Sequence, residues 1–172
     1  MSEISRYSFF RQLLEKGPII LLVISVLNEF DLNYLNLKYF SFNFPFILIY
    51  YWSLKKPSSI GHGLIFITGL FNDAVVGLPI GISALAYLLI CGFSAYLRNI
   101  TLRPSLSKDW FFFGFTILVV NSVIYVIVSL FFNVQILYEG VLVNILFTFL
   151  FYVIFSNVFD YYQKLVFGGP HV

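Results

Sequence analysis

The stretch GLFNDAVVGLPIGISAL, residues 69–85, places one carboxylate, Asp73, inside one of the most apolar parts of the chain. Gly69, Asp73 and Gly77 are spaced i, i+4 and i+8, so on an α-helix they form a single stripe. Glycines above and below the carboxylate would leave a shallow groove into which a second helix can press. The stretch therefore predicts a close-packed pair of antiparallel helices.

The turn between these two helices can also be predicted from the sequence. Gly77 fits the position just past a helix C-terminus, and Pro79 fits the first position of the next helix. The second helix offers small residues to the first, Gly81 and Ala84 among them. Asp73 would then lie about one helical turn from the end of its helix, or roughly 6 Å at about 1.5 Å per residue.

Composition indicates an integral membrane protein. Of the 172 residues, 60% are hydrophobic and 10% are charged, whereas soluble domains carry about a quarter charged residues. A soluble domain of this size could not bury so much apolar surface in one core. No run of Lys and Arg suggests nucleic-acid binding, and the single cysteine, Cys91, permits no intramolecular disulfide.

Charged and turn residues divide the chain into six candidate spans within a single all-α membrane domain, residues 1–172. A helix needs about 20 apolar residues to cross the hydrocarbon core. The second candidate contains Pro45, which should kink the helix or mark where its regular part begins. The six predicted spans are approximately residues 17–35, 37–54, 60–77, 79–98, 110–132 and 138–162.

Basic residues predict the orientation of these spans, because cytoplasmic loops carry an excess of Lys and Arg. With six spans, one side of the membrane holds all of the basic residues except Lys38. Both termini are therefore expected in the cytoplasm, and the Asp73 hairpin is expected near the outer face. The basic residues on the cytoplasmic side are Arg6, Arg11, Lys16, Lys55, Lys56, Arg98, Arg103, Lys108 and Lys164.

Aromatic residues cluster near several of the predicted span ends. Tyr and Trp are enriched at membrane–water interfaces, where their rings anchor a helix. The sequence therefore predicts interfacial anchors in three places: Tyr50 to Trp52, Trp110 to Phe113, and Tyr161 with Tyr162.

The sequence leaves two roles open for Asp73. An ionised carboxylate facing lipid costs about 2.5–3.5 kcal/mol at the bilayer centre, and less near the interface. The side chain could therefore reach water or bond backbone groups freed at the helix break. Alternatively, it could face inward and line a polar pocket, for which Asn72, Asn121 and Asn144 are candidate neighbours.

No recognisable catalytic or metal-binding pattern occurs in the sequence. A metal site needs several converging ligands, and neither His62 nor His171 has such a cluster nearby in sequence. Asp73 lacks an evident second carboxylate for an aspartyl site, and there is no Walker-type phosphate loop. We therefore expect neither an enzyme nor a metal or cofactor.

The hairpin also carries a recognisable motif. GLFND at residues 69–73, GLPIG at 77–81 and AL at 84–85 together resemble the signature of the MreD family of rod shape-determining proteins. In that family a G-L-L-x-D stretch is closely followed by G-x-P-L-G-x-x-A-L. Phe71 stands here for a usual aliphatic residue, and Ile80 for a usual leucine.

The motif resemblance covers residues 51–85, because Tyr51-Trp52 and Pro57 are also similar to the family's second span and its cytoplasmic link. The last two spans match in hydropathy and spacing alone. The fold of the family is likened to the substrate-binding S-component of energy-coupling-factor transporters.

The resemblance implies a bacterial cytoplasmic (inner) membrane protein without catalytic activity that acts as a scaffold or regulator of cell-wall elongation. Its implied partners are the single-span protein MreC and, through it, MreB filaments, a RodA-type glycosyltransferase and a class B transpeptidase. The pocket-bordering hairpin, made of Gly69, Asp73, Gly77, Pro79 and Gly81, would bind a partner segment or membrane lipid.

Two other functions remain open at this point. The inward polar residues also fit a vitamin-like solute-binding subunit or transporter of the energy-coupling-factor type. An intramembrane enzyme would require a second catalytic residue close to Asp73 in space.

Overall fold

The computed structural model of the protein describes residues 16–27, 41–101, 105–132 and 138–167. Within these ranges the chain forms six α-helices, one short 3₁₀ helix at Pro57–Ser59, and no strand, which confirms the all-α expectation. The helices are α1 Gly17–Leu27, α2 Phe44–Lys55, α3 His62–Val76, α4 Ile82–Ile100, α5 Leu106–Phe132 and α6 Tyr138–Phe167.

Among the described helices, α4, α5 and α6 are long and apolar enough to cross a membrane, as an integral membrane protein requires. Helices α1 and α3 are apolar but shorter. Helix α2 has 12 residues, which at about 1.5 Å per residue gives a length of about 18 Å. That length is well below the hydrocarbon thickness of about 30 Å.

The helix ends differ in places from the predicted spans. Residues 28–35 of the first span and 37–40 of the second lie outside the described residues. Pro45 lies in the first turn of α2, so it marks where the regular helix begins and does not kink it. Helix α5 begins earlier than predicted, at Leu106, and α6 continues further, to Phe167.

Helix α2 lies at the centre of the bundle. It contacts α1, α4 and α6, while α3 packs against α1 and α4, and α5 packs against α4 and α6. Ten of its 12 residues are buried, and a helix enclosed by others has no need of a polar face. Because the surrounding helices shield it from lipid, α2 is not required to match the bilayer thickness.

The aromatic residues of α2 are core residues, so the prediction that they anchor the interface is wrong. Tyr50 and Tyr51 are fully buried, and Trp52 is 1% exposed. The Tyr50 ring packs on Phe113 and Tyr152, with ring centroids 5.0 and 5.7 Å apart. Nearness to a span end predicts exposure only for a helix at the bundle surface, and α2 is central.

Three helices are joined by a polar cluster at the end of the bundle opposite the Asp73 hairpin. Lys55 Nζ, at the end of α2, lies 2.9 Å from Asp109 Oδ2 in the first turn of α5. The Asp109 side chain is buried. Arg98 Nη1, in the last turn of α4, donates a hydrogen bond to the Ser53 carbonyl oxygen at 3.0 Å. The cluster fixes the ends of α2, α4 and α5 against one another.

The same end of the bundle collects the basic side chains of the described residues. The Tyr51 hydroxyl donates a hydrogen bond to Asp160 Oδ1, which brings the C-terminal part of α6 to the end of α2. Gly17, the first residue of α1, lies against the Tyr162 side chain. Because the chain alternates in direction, the basic residues meet at one end: Lys16, Lys55, Lys56, Arg98, Lys108 and Lys164.

The ion pair between Lys55 and Asp109 should stabilise the folded protein. We expect Asp109→Ala to lower the free energy of unfolding by about 1–3 kcal/mol, because it removes the charged partner of a Lys55 side chain that is only 25% exposed. The thermal midpoint of the purified protein in detergent micelles measures the change. Glu139→Ala is the matched control, since Glu139 is also an acid in the first turn of a long helix but is exposed. Equal midpoints for the two variants would show that the pair does not stabilise the bundle.

Candidate functional site

Asp73 caps the helix that follows the hairpin turn. Its Oδ2 accepts a hydrogen bond from the Gly81 amide at 2.7 Å, and its Oδ1 accepts one from the Ser83 amide at 2.8 Å. The first N–H groups of a helix have no partner within that helix. A carboxylate at this position supplies acceptors and interacts favourably with the helix dipole. Of the two roles left open by the sequence, the structure has Asp73 bonding backbone groups at the helix break.

The backbone of Asp73 closes the preceding helix as well. Its carbonyl oxygen accepts hydrogen bonds from the Gly77 and Leu78 amides, the second at 3.0 Å. This arrangement requires Gly77 to adopt a left-handed conformation, with φ 75°, which glycine reaches without steric cost. One residue therefore terminates α3 through its backbone and starts α4 through its side chain.

The turn confirms one prediction and contradicts another. Gly77 is the residue just past the end of α3, as predicted. Pro79 is not the first residue of α4, because that helix begins at Ile82 with Gly81 as its N-cap, at φ 105°. Since the Asp73 carboxylate holds the amides of Gly81 and Ser83, the helix starts beyond the proline.

The close approach predicted for the hairpin is present at Gly69. A Cβ atom at this position would lie 2.7 Å from the Ala84 backbone nitrogen, too close for any side chain. The equivalent site at Gly77 is open, because a Cβ atom there would have no neighbouring atom within 4 Å. The two glycines of the stripe therefore have different roles: Gly69 permits close helix packing, and Gly77 permits the turn.

A cavity of about 530 Å³ lies beside the hairpin. Each of the six described helices, or its N-terminal flank, contributes to the lining. The polar lining residues are Ser25, Ser41, Asn43, Asn72, Ser83, Tyr87, Asn121 and Asn144.

The three predicted asparagines all line this cavity, although they lie on three different helices. Asn72 Nδ2 donates to Ser83 Oγ at 2.9 Å, across the hairpin. Asn121 Nδ2 donates to the Ile117 carbonyl oxygen of its own helix at 2.8 Å. Asn144 Nδ2 donates to Ser41 Oγ at 3.0 Å. Asp73 does not line the cavity. Its carboxylate fixes the hairpin that forms one wall of the cavity.

Asn43 is a cavity residue that the sequence reasoning missed. Its Oδ1 accepts a hydrogen bond from the Phe46 amide at 3.2 Å and so caps α2. The backbone amide of Asn43 donates a hydrogen bond to Thr148 Oγ1 of α6 at 2.9 Å. An asparagine two residues before a proline at the start of an apolar helix is a typical N-cap signal. That signal would have moved the predicted start of the second span from residue 37 to residue 44.

A second, apolar groove lies between α5 and α6. It has a volume of about 500 Å³, and Gly114, Leu142 and Phe149 are among its lining residues. Apolar side chains offer no group for acid–base chemistry or metal binding. Within residues 16–27, 41–101, 105–132 and 138–167, no group of three or more His, Cys, Asp or Glu side chains could hold a metal ion.

The close helix approach gives a testable comparison of two glycines. We expect Gly69→Ala to lower the free energy of unfolding by about 1–3 kcal/mol, since the new methyl group would press on the Ala84 backbone. Gly92→Ala, in the open middle of α4, should be neutral or stabilising by up to about 1 kcal/mol. Thermal midpoints in detergent measure both. A Gly69→Ala protein as stable as Gly92→Ala would contradict the close packing.

The capping role of Asp73 is tested at the amides it holds. We expect Asp73→Ala to destabilise the protein by about 2–3 kcal/mol, because two charge-assisted hydrogen bonds to backbone amides are lost. Hydrogen exchange at Gly81 and Ser83 should accelerate more than at mid-helix amides of α4. Asp73→Asn retains one acceptor oxygen and should lie between the wild type and Asp73→Ala. Unchanged exchange at these two amides in Asp73→Ala would contradict the cap.

Comparison of the chain with known proteins gives no match: no family model, no curated protein and no solved structure matches it. The resemblance of residues 51–85 to the MreD family therefore stays a prediction from the sequence motif alone. The motif positions are nevertheless defined in space, because Gly69, Asp73, Gly77 and Gly81 each have a distinct role in one hairpin.

Proposed function

We propose that this protein is a non-catalytic membrane scaffold or regulator of the bacterial cell-wall elongation complex, of the MreD type. One observation carries the proposal: the residues that resemble the family motif are those that build the α3–α4 hairpin. Gly69 admits Ala84, Asp73 caps α4, and Gly77 turns the chain. A motif in which each residue has a defined structural role is a more specific resemblance than a match in hydropathy alone.

The proposed topology is six spans in the bacterial inner membrane with both termini in the cytoplasm. The segregation of the described basic side chains to one end of the bundle supports it, because that bias marks the cytoplasmic side. The hairpin lies at the opposite end and would face outward. The short central α2 is compatible with such an arrangement, since neighbouring helices enclose it. A likeness to the S-component fold belongs to the same proposal.

The proposed partners are an MreC-type single-span protein and, through it, a RodA-type glycosyltransferase with its class B transpeptidase and MreB filaments. The exposed part of the hairpin supports a partner surface there. Ile80, at the turn, is 80% exposed, and Phe71, on the outer side of α3, is 60% exposed. Ile80 is presented by the turn that Asp73 holds in place, and Phe71 lies on α3 two residues before Asp73. An exposed apolar side chain at a turn, such as Ile80, is available for contact with a partner.

Recovery of the partner tests this proposal. We expect Asp73→Asn to insert into the membrane normally but to reduce the recovery of an MreC-type protein in a pull-down and to impair rod shape. The physical reason is that one of the two capping bonds is lost, which loosens the turn that presents Ile80.

Two comparisons make the pull-down decisive. Ile80→Ser leaves the capping bonds intact and should also reduce recovery, whereas Asn157→Leu, an exposed position on α6, should not. Normal cell shape together with normal recovery of MreC in both Asp73→Asn and Ile80→Ser would refute the hairpin as the partner site.

A second candidate function is a small-solute binding subunit of the energy-coupling-factor type. The cavity beside the hairpin favours it, because a volume of about 530 Å³ lies within the about 300–1,000 Å³ typical of small-molecule sites. A stoichiometric small molecule retained by the purified protein would support this function.

A third possibility, an intramembrane enzyme, would require Asp73 to act in the reaction. Both of its carboxylate oxygens are engaged by backbone amides. This engagement supports the non-catalytic proposal.

A further inference from the structure

The cavity beside the hairpin has an uncharged lining. Its side chains within the described residues are asparagines, serines, one tyrosine and apolar groups, and none of them is ionisable near neutral pH. The nearby Asp73 carboxylate lies outside the lining, and both of its oxygens accept hydrogen bonds from backbone amides. Among the described residues the lining therefore offers no countercharge to a charged ligand, whose burial would be costly.

The two helix N-termini at the cavity are already capped. A free N-terminus would attract an anion, since its N–H groups are unpaired and its dipole end is positive. Asn43 supplies the acceptor for α2, and Asp73 supplies both acceptors for α4. Neither of these two N-termini is therefore open to a phosphate or a carboxylate.

Hydrogen-bonding capacity remains after the internal bonds are counted. Asn72 and Asn121 each use the amide nitrogen internally, and within the described part of the chain their Oδ1 atoms accept no hydrogen bond. Asn43 is the reverse case, because its Oδ1 accepts the capping bond and its side-chain nitrogen, Nδ2, remains as a donor. The lining thus presents acceptors and donors together, which matches a group such as a hydroxyl that does both.

Aromatic rings lie among these polar groups. Phe42, Phe44, Phe46 and Tyr87 all line the cavity. Phe42 and Phe44 are held by the Phe155 ring of α6, with centroids 5.8 and 4.9 Å away, and Phe46 by Tyr87 at 5.9 Å. Phe44, Phe46 and Tyr87 are nearly fully buried, so Phe42, which is partly exposed, offers the apolar ring surface to the cavity. This surface suits the C–H face of one sugar ring, while the hydroxyls at its edge meet the asparagines.

We infer that the cavity binds a neutral polyhydroxyl ligand, a sugar, which could be free in solution or the headgroup of a glycolipid. The volume of about 530 Å³ suits one or two sugar rings. This inference rests on the cavity being a binding site, as in the second candidate function. It does not depend on the scaffold role, because the exposed Ile80 and Phe71 surface is separate from the lining.

Binding to the intact protein tests the inference in two arms. In the first arm, the full chain in an amine-oxide detergent, which carries no sugar, is dialysed against radiolabelled glucose or glucose 6-phosphate. In the second, the protein is placed in nanodiscs that contain monoglucosyl diacylglycerol and phosphatidylglycerol, and native mass spectrometry identifies the retained lipid. We expect the neutral sugar to be preferred over its charged counterpart in at least one arm. Preference in the first arm identifies a free solute, and preference in the second alone identifies a lipid headgroup.

Substitutions of cavity-lining asparagines test whether the sugar probe binds in the cavity. We expect Asn121→Leu and Asn144→Leu each to weaken binding of the preferred sugar probe about tenfold, the effect of losing one or two hydrogen bonds. The thermal midpoint identifies a variant that is merely unfolded, and two positions on different helices guard against that outcome. Asn157→Leu is the matched control, since it makes the same substitution at an exposed position on α6.

The outcomes separate this inference from the functions proposed above. Stronger retention of glucose 6-phosphate or phosphatidylglycerol would overturn the neutral-sugar assignment and leave the cavity as a binding site. Equal binding by Asn121→Leu, Asn144→Leu and Asn157→Leu would place the ligand elsewhere and overturn it too. Retention of no probe would overturn both the inference and the solute-binding function, while the scaffold proposal would still be decided by recovery of MreC.

Discussion

Asp73 fixes the turn between α3 and α4 and so holds these two helices in register. Its backbone carbonyl ends α3, and its two side-chain oxygens begin α4. An acid in an apolar segment is normally a cost, and here the cost is offset because both oxygens receive backbone donors that would otherwise be unpaired. The close contact of Gly69 with Ala84 depends on the same turn, since the turn sets the separation of the two helices. The hairpin in turn forms one wall of the cavity.

The opposite wall and the floor of the cavity follow from the length of α2. This central helix has only 12 residues, Phe44–Lys55, and its N-cap residue, Asn43, also bonds Thr148 of α6. The long helices α5 and α6 continue past its first turn, so their asparagines, Asn121 and Asn144, face space that α2 does not fill. The cavity is therefore a consequence of enclosing a short helix within longer ones.

Sequence reasoning predicted the elements whose cause is local in the chain. The all-α fold, the hairpin, the position of Gly77 just past the end of α3 and the small-residue contact at Gly69 were predicted from composition and local spacing. The burial of α2 depends instead on partners distant in the sequence. Tyr50 is buried because its partners Phe113 and Tyr152 lie on α5 and α6. The capping of α4 by Asp73 was one of two roles that the sequence left open, and its effect on the helix start, which lies beyond Pro79, was not predicted.

The contacts of α2 also constrain how the chain is assembled during synthesis. Its Tyr51 hydroxyl bonds Asp160 and its N-cap residue bonds Thr148, partners 109 and 105 residues further along the chain. These partners belong to α6, which is synthesised after the other described helices. Until α6 is made, α2 has polar groups and aromatic surface without their final neighbours. This part of the core is therefore completed only after α6 has been translated, and a nascent chain that lacks α6 would be left open on that side to lipid or to the insertion machinery.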